Sequence, residues 1–313
     1  MKIISAPGDI KTVKFERSVI AIGVFDGVHL GHKYLIRKMV VKAKALKVTS
    51  IVITFFPHPI HVLQPKIRLP LIVSLKHRLN LIEDLGTDVC VVIPFTKKFS
   101  RLSPRQFIEK HLVKKYHPRE VFIGSDFRFG QGRRGDLILL KQNGNRFNFK
   151  VNIVPSVLLG SKVISSTLIR RLIEHGRLNL ASRLLARKVS ILGTVSRGYS
   201  RGRLFGFPTA NINLSQEVIV PRGVYAVKVI LGDKAYYGMA NIGIRPSFNE
   251  HNELMNVEVY IFNFRKNIYG KEILVEFLKK IRVEKKFPAQ ENLIQQLKKD
   301  EILARKLLLK SAL

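Results

Sequence analysis

The run Gly23-Val24-Phe25-Asp26-Gly27-Val28-His29-Leu30-Gly31-His32 joins a β-branched apolar stretch to an amphipathic one. At a strand-to-helix junction, free backbone N–H groups and the positive helix end favour a phosphate. Gly27 and Gly31 remove Cβ atoms that would keep a polyphosphate off the main chain, and Gly23, Phe25 and Asp26 belong to the same turn. His29 and His32 then reach one anion from one side, where imidazoles stabilise charge on phosphoryl oxygens and on departing pyrophosphate. A bare His-x-x-His is also what a pair of incidental histidines looks like, one of them capping a helix. A metal site lacks a third ligand at a persuasive spacing. Ile164-Ser165-Ser166-Thr167-Leu168-Ile169-Arg170-Arg171 adds hydroxyls that cap a helix or bind an anion, with Arg170 placed to clamp phosphate. A plain N-cap with a solvated Arg reads the same way.

A second constellation begins at Gly193-Thr194-Val195-Ser196-Arg197-Gly198 and continues through Gly202 and Gly206 to Pro208-Thr209-Ala210-Asn211. No Gly-x4-Gly-Lys-Ser/Thr pattern occurs anywhere, so a kinase here must grip ATP another way. Glycine spacing of this kind also serves bends and hairpins. Thr209 and Asn211 offer hard neutral oxygens, which suit a Mg²⁺ already carrying triphosphate charge.

Strand-like runs Val19 to Val24, Ser50 to Phe56, Asp88 to Phe95, Glu120 to Gly124 and Asn148 to Val154 must position the first set. They alternate with helical patterns at Gly31 to Leu46, Ser74 to Leu85 and Pro104 to Val113, which predicts a doubly wound, Rossmann-like parallel sheet. Ser165 to His175 and Leu178 to Leu185 read as two closing helices separated by a stop at Gly176. Beyond Lys188 the helical period vanishes. Ile191 to Ser196, Val224 to Leu231, Ala235 to Ile242, Asn256 to Phe264 and Glu272 to Lys279 predict an antiparallel barrel or sandwich. A last helix from Ala289 to about Leu309 carries Leu293, Ile294, Leu297, Ala304 and Leu308 for packing on it. The expected boundary lies near Ala186 to Lys188, giving domains of 1–186 and 187–313.

The chain has 313 residues, 46% of them hydrophobic, enough for two ordinary cores and too many for a disordered chain. No apolar run approaches the roughly 18 to 20 residues of a membrane span, and Met1 to Glu16 lacks a signal-peptide core. A single cysteine, Cys90, excludes an internal disulfide framework; the expectation is a soluble cytoplasmic protein with Cys90 as a small buried apolar residue. Lys and Arg number 55 against 22 acids, a formal charge of +33. That excess fits nucleotide phosphates, nucleic acid or an acidic surface, yet it is dispersed and contains no block of like charge.

His29-x-Gly31-His32 with Ser165-Ser166-Thr167-x-Ile169-Arg170 resembles the nucleotidyltransferase superfamily. Thr54-Phe55-Phe56-Pro57-His58-Pro59 and Gly124-Ser125-Asp126-Phe127-Arg128-Phe129-Gly130 are similar to the FAD synthetase half of bacterial bifunctional riboflavin kinase/FMN adenylyltransferases. The run to Asn211, together with Pro221-Arg222-Gly223-Val224-Tyr225, Asn241 to Pro246 and Ile281-Arg282-Val283-Glu284, resembles the riboflavin kinase module. The resemblance covers nearly the whole chain. It implies an N-terminal nucleotidyltransferase domain and a C-terminal barrel, with riboflavin, FMN and ATP as substrates, Mg²⁺ as cofactor and no membrane partner. By the same resemblance His29 and His32 hold ATP phosphates, Arg170 holds the leaving end, and Asp126 and His58 line the nucleotide or flavin pocket. Thr209 and Asn211 coordinate Mg²⁺, Arg282 belongs to a ligand-facing segment, and Glu258 is the base for the ribityl 5′-hydroxyl. Residues alone would make Glu258 an outward-facing strand carboxylate.

Tyr260, Asn263 and Arg265-Lys266 depart from the family pattern, which keeps open a chain with only one activity retained. Loss of a turn glycine leaves Asn263 or Asn267 to supply any positive φ. A basic nucleic-acid-binding protein on an enzyme scaffold is the alternative of another class, and two chemically distinct motif sets argue against it.

Overall fold

The computed structural model describes residues 1–5, 15–67, 69–197, 206–214, 221–245 and 254–309. The chain divides into two compact units, Met1–Leu69 with Leu75–Ser166, and Pro70–Ser74 with Thr167–Leu313. This division by compactness falls earlier than the change of texture near Lys188, because the two helices before it group with the barrel.

The first unit is built on strands β1 (Lys2–Ile4), β2 (Ser18–Ile22), β3 (Thr49–Phe56), β4 (Val89–Pro94), β5 (Pro118–Gly124) and β6 (Lys150–Val154). Every pairing among them is parallel, in the order β1-β4-β3-β2-β5-β6. The five residues of β2 are all buried, as expected of a parallel strand covered on both faces. One face packs Ile20, Ile51 and Val91 against Phe107, Ile108 and Leu112. The other packs Val19, Val52 and Cys90 under helix α1 (Leu30–Ala45), with Leu79 and Ile82 completing it. From β2 the chain builds to one side through β3 and β4, and β5 and β6 lie on the other. The carboxyl ends of β2 and β5 therefore flank the reversal of strand order, where open α/β sheets take their ligands.

Helices α2 (Pro59–Leu63), α3 (Leu75–Glu83) and α4 (Leu137–Arg146) lie in the connections between these strands. The periodicity missed β1, whose three residues are too few to show a pattern, and α4, whose Asn143-Gly144-Asn145 sequence is helix-poor. The helix expected over Pro104 to Val113 starts on a Ser103/Gln106 capping box and winds as a π-helix over Phe107–Val113.

In the second unit α5 (Ser166–Glu174, its first residue in the first unit) and α6 (Leu178–Leu185) are separated at Gly176, φ +68, where Arg177 N–H returns to Leu172 O. A two-stranded hairpin, β7 (Leu158–Leu159) and β8 (Lys162–Val163), precedes them in the first unit. The barrel strands are β9 (Ser190–Ser196), β10 (Thr209–Asn213), β11 (Gly223–Leu231), β12 (Lys234–Arg245), β13 (Leu254–Ile261) and β14 (Glu272–Arg282), closed in the order β10-β13-β12-β11-β14-β9. The barrel closes through β10, a Thr-Ala-Asn-Ile-Asn strand that hydrophobicity did not announce. Helix α7 (Gln290–Leu309) buries Ala304 and Leu308 against Phe207, Ala226, Met239 and Phe262 on the barrel's outside. Asp300 of α7, 2% exposed, receives the Arg282 guanidinium of β14 through Nε at 2.9 Å and Nη2 at 2.8 Å.

Candidate active sites

At the carboxyl end of β2 the chain makes a tight turn that raises φ above zero at Phe25 (+52°), Gly27 (+79°) and Val28 (+40°). A β-branched residue there is strained by roughly 1–3 kcal/mol, and Phe25 and Val28 persist because both are fully packed. Two glycines make the turn possible by the rings they admit. A Cβ on Gly23 would lie 2.8 Å from the Phe25 ring, and one on Gly31 would lie 3.2 Å from the His29 ring. His29 caps α1: its Nδ1 accepts the His32 N–H at 3.4 Å. The two imidazoles stack with centroids 3.5 Å apart, and Phe25 meets His32 edge-on at 5.3 Å. The helix-cap and anion-binding readings of His29 are thus compatible, since the cap brings both rings to the N-terminus of α1. Burial, then His29 and Arg78, hold the His32 pKa well below the usual imidazole value of 6.5.

Ser166, first residue of α5, donates its hydroxyl to Asp26 O at 2.9 Å, so the second hydroxyl motif is tied to the first turn. Ser165 is half-buried beside it and Thr167 is exposed. Arg170 is buried on α5 and donates Nε to Pro70 O at 2.8 Å. His58 caps α2, accepting Ile60 N–H on Nδ1 at 3.2 Å. Asp126 stands exposed just past β5. The loops after β2, β3 and β5 thus leave the same edge of the sheet. A cavity of about 250 Å³ in this unit is lined by Leu63, Phe95, Phe99, Leu102, Phe107 and the Gly130-to-Arg133 loop. Of these only Gly130 lay in a motif; the aromatic spacing along Phe95, Phe99 and Phe107 was the available signal. Cys90 is buried and its thiol is pushed up to about 12 by burial, so it is no nucleophile at neutral pH.

On the barrel, antiparallel register sets Asn211 of β10 beside Glu258 of β13, and Thr209 beside Tyr260. Glu258 is also the register partner of Asn241, and Asn211 that of Ser196. Val257 and Val259 are fully buried while Glu258 between them is half-buried, so the carboxylate faces out of the barrel. Asn256 donates Nδ2 to Glu258 Oε1 at 2.9 Å. Thr209 and Asn211 of β10 and Glu258 of β13 are hard-oxygen groups on one face of the paired strands. Among the described residues no group of three or more His, Cys, Asp or Glu could hold a metal, so a divalent ion here would depend on neutral oxygens and ligand phosphates. Thr209 also lines a cavity of about 620 Å³ with Val195, Val259, Ile261, Arg265, Lys266 and Tyr269. Gly206 takes φ +80 ahead of β10. Gly198 and Gly202 lie outside the described residues. Asn263 adopts φ +53, the freedom that a missing turn glycine demanded. Arg282 spends Nε and Nη2 on Asp300 and Nη1 on Val283 O.

A family model described as FAD synthetase matches residues 11–168, and one described as riboflavin kinase matches residues 185–308. A bifunctional riboflavin kinase/FMN adenylyltransferase of Buchnera aphidicola subsp. Schizaphis graminum is 37% identical over 308 residues, 98% of each chain. The chain belongs to the bifunctional riboflavin kinase/FMN adenylyltransferase family. The Bacillus subtilis member is 39% identical over 91% of this chain and 90% of its own. A solved structure described as a macrolide-efflux protein from Streptococcus pneumoniae matches with a TM-score of 0.84 and 31% identity, over 97% of this chain and 99% of that one. Among the described residues, no helix is long and apolar enough to cross a membrane.

Within this riboflavin kinase/FMN adenylyltransferase chain, one residue of the first unit escaped the motifs. Arg78 of α3 is 0% exposed, and its Nη1 donates to Val24 O at 2.9 Å and to Thr54 Oγ1 and Phe55 O at 3.3 Å. In the sequence it sits in a Lys-His-Arg run within the helical pattern from Ser74 to Leu85, where nothing marks it as buried.

Proposed function

We propose that the chain performs its family's two ATP-dependent steps in two places: phosphorylation of riboflavin to FMN by residues 187–313, and adenylylation of FMN to FAD by residues 1–186. In the first step Glu258, with one oxygen steadied by Asn256, accepts the proton of the ribityl 5′-hydroxyl as that oxygen attacks the γ-phosphorus; ADP leaves. The glycines 198, 202 and 206 and the strand face of Thr209 and Asn211 receive the triphosphate. Mg²⁺ would be held by Thr209 and Asn211 together with phosphate oxygens, and supplies charge neutralisation when bound.

In the second step an FMN phosphate oxygen bonds to the α-phosphorus while the bond to the β-phosphate oxygen breaks, releasing pyrophosphate. His29, His32 and the open N–H groups of the turn hold the ATP phosphates, and Ser165 and Ser166 extend that surface. A neutral His32 offers a hydrogen bond to phosphate and no full charge. His58 and Asp126 contact the nucleotide or flavin. The Phe95, Phe99 and Phe107 cavity supplies an apolar slot for a planar ring.

The observation that supports this division best is that the His29/His32 turn and the strands carrying Thr209, Asn211 and Glu258 belong to different compact units, one set at strand ends and one on a sheet face. Purified chain given riboflavin, ATP and Mg²⁺ should accumulate FMN and then FAD by timed chromatography. His32→Ala should stop at FMN, and Glu258→Ala should convert only supplied FMN. Loss of both reactions in both folded variants would overturn the division. We place the protein in the cytoplasm, with small molecules as its partners.

A further inference from the structure

We propose that Arg78 is the positioning residue of the adenylyl-transfer turn, fastening the carboxyl ends of β2 and β3 so that the Gly23–His32 turn holds its strained, anion-accepting form. This rests on the reading of that turn as the FMN adenylylation site. A guanidinium is a costly way to fill a core: Nε and Nη2 of Arg78 are buried without a hydrogen-bond partner among the described residues, at roughly 1–3 kcal/mol for each unmet donor. An apolar side chain of similar volume would serve the sheet as well or better. What an apolar chain cannot supply is the grip of Nη1 on three oxygens. Val24 O is the last backbone acceptor before the positive-φ stretch, and Thr54 Oγ1, itself donating to Val24 O at 2.9 Å, and Phe55 O belong to the end of β3. One side chain on α3 therefore crosslinks the exits of the strands that carry the His29/His32 turn and the Pro57-His58-Pro59 loop.

The charged and titratable neighbours of this corner fit the same role. Burial works most strongly against the charged guanidinium, and Asp26 in the turn favours it. Toward the ligand side, Arg78 acts with His29 to disfavour protonation of His32. Arg78 touches no reacting atom; its action passes through the backbone of the turn.

The test uses the full chain and compares Arg78→Met with Arg78→Lys in FMN adenylylation from supplied FMN and ATP, with riboflavin phosphorylation of the same sample as the internal control. Arg78→Met should lower kcat for adenylylation about 100-fold, the scale of a roughly 1 Å misplacement, with the KM for FMN changed less than about threefold. Arg78→Lys, which keeps a charged donor within reach of the same oxygens, should recover most of that loss, to within about tenfold of wild type. Thr54→Val, which keeps the volume and removes one of the three oxygens, should cost about 5- to 10-fold alone and less than that in an Arg78→Met background. Folded Arg78→Met with adenylylation within about threefold of wild type would overturn the proposal, as would equal losses in the Met and Lys variants. Should Arg78→Met fail to fold, an inert Thr54→Val would overturn it instead. His32→Ala separates the two levels: if it leaves adenylylation intact the site assignment has failed, whereas if it abolishes the reaction and the Arg78 variants do not, only the role of Arg78 has.

Discussion

On the proposed assignment the two sites meet the same chemical problem, handling a triphosphate, with opposite architecture. In the parallel sheet the proposed groups sit past the strand ends, on a turn strained at Phe25 and Val28 and hydrogen-bonded by a buried Arg78 at Val24 O and by Ser166 at Asp26 O. In the barrel they sit on a strand face, where Asn211 and Glu258 are neighbours because the ladder pairs them. Parallel strands are buried on both faces and can offer a ligand only their ends, whereas a barrel strand has an outside. The first site therefore depends on rare backbone conformations and close ring packing; the second depends on register.

That contrast predicts different failures. The largest expected loss is in the barrel: Glu258→Gln should reduce riboflavin phosphorylation about 10²- to 10⁴-fold, with adenylylation of supplied FMN unchanged, as read by timed flavin chromatography. Retained phosphorylation would show that the register pair is not the reacting pair. Gly23→Ala should reduce FMN adenylylation about 100-fold, because its new Cβ meets the Phe25 ring at 2.8 Å and displaces the turn, while phosphorylation persists. A functional Gly23→Ala would mean that the turn tolerates repacking and that the contrast between the units is overdrawn.

Stability sharpens the comparison further. Arg282→Ala leaves the buried Asp300 carboxylate without a cation, with only the Gln296 amide still donating to it, and should cost the barrel unit about 3 kcal/mol in urea unfolding, with little effect on the sheet unit. The smallest effect is a pH slope in the sheet unit. Folded His32 resists protonation, while unfolded His32 protonates near 6.5, so acid favours the unfolded chain. Its contribution is present above that pH and is lost as the pH falls, by at most about 1.4 kcal/mol per pH unit. The midpoint of the sheet unit should fall between pH 7.5 and about 5.5 less steeply in His32→Asn than in wild type. Equal slopes would assign the acid sensitivity elsewhere.

Much of this was legible in the chain. Continuous apolar runs announced β2 to β5 because parallel strands are buried on both faces, and Gly176 announced the break between α5 and α6. The His29/His32 turn was visible because glycine and histidine spacing at a strand-to-helix junction is local information. The sheet edge β1, the helix α4 and the closing strand β10 were not, since each is short or polar and forms through partners distant in sequence.

What the sequence by itself determined is which residues can do chemistry and which periodic segments carry them, because residue type and spacing of 2 or about 3.6 are properties of the local chain. Only the tertiary structure decided that Arg78 is core and not surface, that Arg282 faces Asp300, and that Glu258 stands beside Asn211. Each of those facts depends on what packs against a side chain from far along the sequence, and burial and register are set by the assembled neighbours alone.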